Sequence, residues 1–187
     1  MLAVLDANVL YPFQLRNFLL HLAAVDTFQP LWSDTIIEEA RRNLLKKGVM
    51  TEPKWDRLEI HLRKHFAEAW GRGFEPLIDG LTLPDVDDRH VLALAIHYEA
   101  DVIVTNNTKH FPEAALQPFG IDRRRPPAFI AEIWEKDPDA VLDAAELHRL
   151  SLTRSPLSRS EYLVQLRERA GLRQLARRLE RRGFLNV

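Results

Sequence analysis

The chain of 187 residues contains no cysteine. That absence excludes disulfides, thiolate nucleophiles, iron–sulfur clusters and cysteine-based zinc sites. It fits a reducing compartment, and a cytoplasmic protein is expected. Long hydrophobic runs are also missing. The apolar run at the N-terminus is far too short for a signal peptide, and no stretch approaches the roughly 20 apolar residues of a membrane span. A charge excess is missing as well: 26 Lys and Arg face 27 Asp and Glu, for a net charge of -1. That balance by itself implies neither a nucleic-acid binder nor an acidic tail. No GxSxG, P-loop or GxGxxG motif occurs, so the chemistries they serve lack support.

What is present is unevenly distributed. Residues 149–187 hold ten arginines against Glu161, Glu168 and Glu180, a local charge of +7, which leaves -8 for the rest. About half of the residues are hydrophobic, ample for one core, or for one core with an appendage. LAVL (2–5) reads as a buried strand that stops at Asp6. Pro12 then opens a helical pattern through Leu15, Phe18, Leu19, Leu22 and Val25. FQPLWS (28–33) is too short for a helix and reads as a second strand. Ser33, Asp34 and Thr35 are all good N-caps, and Thr35 with Glu38 fits a capping box for a helix running to about Lys47, with Gly48 as its stop. Glu52-Pro53 starts another helix, with Leu58, Leu62, Phe66 and Ala69 on one face and Gly71 and Gly73 at its end. PDVDDR (84–89) is a turn into the helix of VLALAI, apolar on all sides and so buried. DVIVT (101–105) is the clearest strand, and Gly120-Ile121 begins an edge strand.

Strands alternating with helices imply a parallel sheet covered on both faces. Arg123-Arg124-Arg125-Pro126-Pro127 reads as a boundary. Beyond it the pattern is purely helical, over 128–136, 138–150, 158–170 and 172–182. The expected architecture is a three-layer α/β/α unit over residues 1–125 and a helical, Arg-rich extension over 126–187.

Open parallel sheets bind ligands beyond the carboxyl ends of their strands. The polar residues expected there are Asp6 and Asn8; Glu38 and Glu39 on the helix after strand two; Thr105, Asn106 and Asn107; and Asp85, Asp87 and Asp88, if their helix begins at the same edge. Clustered carboxylates repel one another, so a positive partner is required. Oxygen ligands without cysteine suit a hard cation, Mg²⁺ or Mn²⁺. Taken singly, each residue also has a plainer reading. Asp6 is a strand-end turn residue, Asp85 and Asp87 are helix caps, Glu38 is a surface residue, and Asn107 sits in a loop. His61 and His65 have the spacing of a zinc pair but no evident third ligand. The aspartyl nucleophile of haloacid-dehalogenase-like phosphatases would need a second Asp where this chain has Asn8.

Taken in order, LDANVLYP, SDTIIEEARRNL, LPDVDDRHVLALAI and DVIVTNNTKHFP resemble the PIN domain, the nuclease fold of VapC-type toxins. The resemblance covers about residues 1–125. Carried over residue by residue, it makes Asp6, Glu39 and Asp88 metal-site carboxylates and catalytic residues. The fourth family acid falls on Asn107, a neutral residue that leaves the site one negative charge short. Asn8 and Thr105 would orient the carboxylates, with Asp85 helping from the helix start. Residues 126–187 resemble the helical extension of one VapC-like subfamily. The resemblance implies a Mg²⁺- or Mn²⁺-dependent endoribonuclease, the toxin of a type II toxin–antitoxin pair. Its partners would be RNA, a cognate antitoxin and, as in many PIN domains, a second copy of the chain. Two alternatives stand beside it: a non-catalytic PIN-like module binding RNA or protein, and a DNA-acting structure-specific nuclease. For the tail, Arg167, Arg173, Arg177, Arg178, Arg181 and Arg182 could contact phosphates. They could equally form the solvated face of helices whose other face is Leu163, Leu166, Leu172, Leu175 and Leu179, or pack on an acidic antitoxin segment.

Overall fold

The computed structural model describes residues 1–168 and 172–185. The chain divides into two compact units. The first comprises Met1–Tyr11 and Gln29–Arg125; the second comprises Pro12–Phe28 and the residues from Pro126 onward.

The first unit is built on a four-stranded parallel sheet in the order β2-β1-β3-β4, with β1 Leu2–Leu5, β2 Gln29–Leu31, β3 Val102–Val104 and β4 Asp122–Arg124. Ala3, Val4 and Leu5 are wholly buried, as a strand flanked by neighbours on both sides requires. The register pairs Leu5 with Val104. The residues that follow them, Asp6 and Thr105, therefore emerge side by side at one edge of the sheet. Five helices accompany the strands among the described residues: α1 Ala7–Leu10, α2 Phe13–Ala24 (which belongs to the second unit), α3 Asp34–Lys46, α4 Glu52–His65 and α5 Arg89–His97. A short helix, α6 Glu113–Leu116, precedes β4.

Two local expectations are corrected. The N-cap of α3 is Ser33, whose Oγ accepts from the backbone N–H of Ile36 at 3.2 Å. Thr35 lies inside the helix, and Glu38 pairs with Arg41 at 3.0 Å instead of closing a capping box. Helix α4 ends at His65, because Phe66 leaves the helical region at φ -131°, ψ 46°. Ala69 then sits in a separate 3₁₀ turn, and its carbonyl accepts from the backbone N–H of Trp32 at 2.8 Å. Gly71, on the same edge segment, is closely packed: a Cβ there would stand 2.4 Å from Leu94 Cδ1 and make that side chain shift. In α5, Val91 through Ala95 are all buried, as the uninterrupted apolar run implies.

The second unit is all helical. Alongside α2 it contains α7 Pro126–Lys136, α8 Pro138–Ser151, α9 Arg159–Glu168 and α10 Arg173–Arg181. Residues 169 and 170 of the third predicted helix lie outside the described residues. Helix α2 packs on α8, and α10 packs on α9 and α7. The core holds Phe28 edge-to-face on Phe129, with ring centroids 4.9 Å apart, and a buried His148 whose Nδ1 accepts from the Tyr162 hydroxyl at 2.9 Å. No helix of the described residues is long and apolar enough to cross a membrane.

Candidate functional site

Asp6 ends β1 and stands at the N-cap position of α1, only 4% exposed. Its Oδ2 accepts from Thr105 Oγ1 at 2.5 Å and from the side-chain amide of Asn8. The amide of Asn8 also donates to Thr105 Oγ1 at 3.0 Å, and Asn8 Oδ1 accepts from the backbone N–H of Asn106 at 2.8 Å. The backbone N–H of Asn107 donates to the same Thr105 hydroxyl at 3.0 Å. Thr105 and Asn8 thus tie the first strand end to the third through hydrogen bonds that orient one carboxylate. Asn107 is exposed and joins this network through its main chain.

Glu39 lies at the margin of the buried face of α3, next to Ala40, whereas Glu38 is exposed. Glu38 is thus the solvent-facing member of the pair. His90, buried in the first turn of α5, donates from Nε2 to Glu39 Oε1 at 3.1 Å. Asp85 Oδ1 accepts from the backbone N–H of Asp87 at 3.1 Å and caps the 3₁₀ turn Val86–Asp88. Asp88 follows at the entrance of α5, half-buried, and His110 Nδ1 donates to its Oδ2 at 2.6 Å. The same ring nitrogen stands 3.5 Å from Asp85. Ligating atoms of Asp85, Asp88 and His110 all lie within 4.8 Å of one another.

These carboxylates sense one another. Burial pushes the Asp6 carboxyl up to about 6; the Thr105 hydrogen bond pulls against the rise, and the charges of Asp88 and Glu39 add to it. Asp88 is also raised, first by burial; His110 opposes that shift, while Asp85 and Glu39 reinforce it. Asp6, Glu39 and Asp88, from three separate segments, therefore form one field of mutually repelling acids. Such a set raises the affinity for a proton, and for the same reason suits a divalent cation with oxygen ligands. The donor set fits.

Two side chains of this region escape sequence reasoning: His90 and His110. Both lie inside the motifs DDRHVLALAI and NNTKHFP, but a single histidine carries no spacing signal until the fold supplies its carboxylate. His61 and His65 stack on α4 with ring centroids 4.4 Å apart. Among the described residues, no third metal-binding side chain joins them.

The model of the PIN domain family matches residues 3–109, more than half of the chain. The chain belongs to the PIN domain family. After this PIN domain, residues 126–181 match the model of the VapC50 C-terminal domain. A protein of Mycobacterium tuberculosis (strain ATCC 25618 / H37Rv), named "Putative ribonuclease VapC50", is 34% identical over 91 residues, 47% of this chain and 53% of that protein. The PIN-containing chain thus spans about half the length of the relative it matches. No solved structure matches it.

Proposed function

We propose that this protein is a metal-dependent endoribonuclease, the toxin of a type II toxin–antitoxin pair, acting in the cytoplasm. Residues 1–125 would be the nuclease domain and 126–187 its helical extension. Asp6, Glu39 and Asp88 would hold Mg²⁺ or Mn²⁺, with Asn107 completing the site through a neutral amide oxygen. When bound, the cation offsets phosphate charge and acidifies water for attack on phosphorus. Thr105 and Asn8 hold the Asp6 carboxylate in one orientation, which removes the cost of reordering it at each turnover. His110, with Asp85 beside its ring nitrogen, does the same for Asp88, and His90 for Glu39.

The observation behind this reading is the buried Asp6 carboxylate at the end of β1, held by the Thr105 hydroxyl and the Asn8 amide; burial first, and then the charges of Asp88 and Glu39, raise its proton affinity. An acidic cleft without a cation repels RNA, so the chemistry requires the charge it lacks. Support also comes from membership of the PIN family and from the relative named as a ribonuclease. Partners follow from the same likeness: an RNA substrate, an antitoxin protein and a second copy of the chain.

The test is cleavage of RNA in Mn²⁺, with and without chelator, by the wild type and by Asp6→Asn. Cleavage is expected only in the wild type with metal. Equal cleavage by the variant would remove Asp6 from the site. A protein with no measurable Mn²⁺ affinity would be a non-catalytic binding module.

A further inference from the structure

Helix α10 divides its arginines into two groups. Arg178 pairs with Glu135 of α7 at 2.7 Å, and Arg182, just past the helix end, pairs with Asp139 of α8 at 2.9 Å. Arg167 of α9 pairs with Glu180 at 2.6 Å. These three knit the helical unit together. Arg173, Arg177 and Arg181 are exposed instead, and they recur every fourth residue. On an α-helix that spacing advances about 6 Å per step and turns each position only about 40° from the last. The result is a line of three guanidinium groups along one face. Buried Leu175, Ala176 and Leu179 fix the opposite face, so the stripe cannot rotate inward.

The rest of the exposed face is Gln174 and Glu180, the latter already held by Arg167. Exposed Glu168 of α9 is the other carboxylate beside it; Arg167, Glu168, Arg173, Arg177 and Glu180 line one open groove. Arg173 borders an apolar groove shared with Ile130, Trp134 and Leu172, and Arg181 borders one shared with Trp134 and Pro138, but the exposed positions of α10 between the three arginines carry no apolar side chain. Three evenly spaced, forked cations about 6 Å apart suit the phosphates of an extended nucleic-acid strand.

We propose that Arg173, Arg177 and Arg181 form a phosphate-binding stripe that takes up single-stranded RNA. This extends the ribonuclease reading and rests on it. The experiment uses the full chain, with a fluorescent single-stranded RNA followed by anisotropy in EDTA over a series of KCl concentrations. In the variant R173Q/R177Q/R181Q, the slope of log K against log[KCl] should shrink by about 2, about 0.7 for each phosphate no longer neutralised. A control of equal charge, R57Q/R72Q/R154Q, should keep the wild-type slope. Glutamine is a good helix former, and an unchanged melting temperature confirms that α10 is intact.

An unchanged slope in the stripe variant overturns the proposal. So does an equal loss in the control, which would make the effect one of net charge. RNA cleavage by the wild type in Mn²⁺, measured in parallel, separates the two readings. Cleavage with a slope indifferent to the stripe overturns the stripe alone. Stripe-dependent binding without cleavage overturns the nuclease and leaves the stripe.

Discussion

The Thr105 hydroxyl donates to Asp6 Oδ2 at 2.5 Å, between residues 99 apart in the chain. Both are buried, and the same oxygen of Thr105 accepts from Asn8 and from the backbone of Asn107. Thr105→Val keeps the shape of the side chain and removes all three bonds. It should cost about 1–3 kcal/mol of stability, since two donors are left without their acceptor. The Asp6 carboxyl should titrate higher still, because the bond that lowers it is gone. Thermal melting and Mn²⁺ titration by calorimetry check both effects; an unchanged Mn²⁺ affinity would show that the orientation of Asp6 is not needed.

Asp6 should destabilise the metal-free protein at neutral pH. Its carboxyl is raised from 3.8 to about 6 in the fold. For a group raised on folding, the favourable contribution is present below pH 3.8 and is lost as pH climbs through about 6. At pH 7 the penalty is on the order of 3 kcal/mol. Asp6→Asn should therefore raise the melting temperature in EDTA at pH 7 while abolishing Mn²⁺ binding. At pH 4 the stabilisation should vanish. A variant that melts lower than wild type at pH 7 would contradict the repulsion.

His110→Ala should weaken Mn²⁺ binding by about 10–100-fold, the usual effect of losing a group that orients or supplies a ligand. Asp88 would lose the partner that holds its carboxyl down and would titrate higher. Electron paramagnetic resonance of bound Mn²⁺ reads the affinity directly. His110→Gln, which keeps a donor near Asp88, should recover part of it; equal affinity in wild type and alanine variant would leave His110 a bystander.

Acid should loosen the helical unit through His148. Burial pulls its imidazole down from 6.5 to about 3, so the fold holds it neutral. The unfolded chain then binds the extra proton between those values, and stability is full above pH 6.5 and falls as pH drops toward 3. Glu146 adds a later loss: hydrogen bonds from Arg149 and Arg159 hold it near 2, and that contribution fades as pH falls below 4.5. His148→Asn, whose carbonyl can still accept from Tyr162, should flatten the fall between pH 6.5 and 4.5 and leave the later one. Chemical unfolding at a series of pH values resolves the two.

Local order in this protein is largely a matter of sequence. Asp6 interrupts an apolar run, VLALAI is apolar on every side, and Gly48 stops a helix; each is a property of neighbouring residues, set by backbone sterics and by hydrophobic period. The parallel sheet and the four C-terminal helices follow from that order of elements. Four motifs in sequence also carried the likeness to the PIN family. What escaped depends on groups far apart in the chain. Ser33, Asp34 and Thr35 are all suitable caps of α3 by residue type, and only the entry of the chain from β2 decides that Ser33 is the one that reaches Ile36. The burial that distinguishes Glu39 from Glu38 comes from what α3 packs against. His110 acquires a role only when the loop after β3 meets the turn before α5. Likewise, ten arginines in the tail look alike in the sequence; which of the described ones are paired depends on the acids that α7, α8 and α10 bring to them. Sequence by itself determined which segments form strands and helices and that Asp6 closes the first strand, since both follow from local propensity and hydrophobic period. Tertiary structure alone decided which side chains hold the site's carboxylates in place and which cations stay exposed, because hydrogen bonds and ion pairs act over a few ångströms of space and ignore distance along the chain.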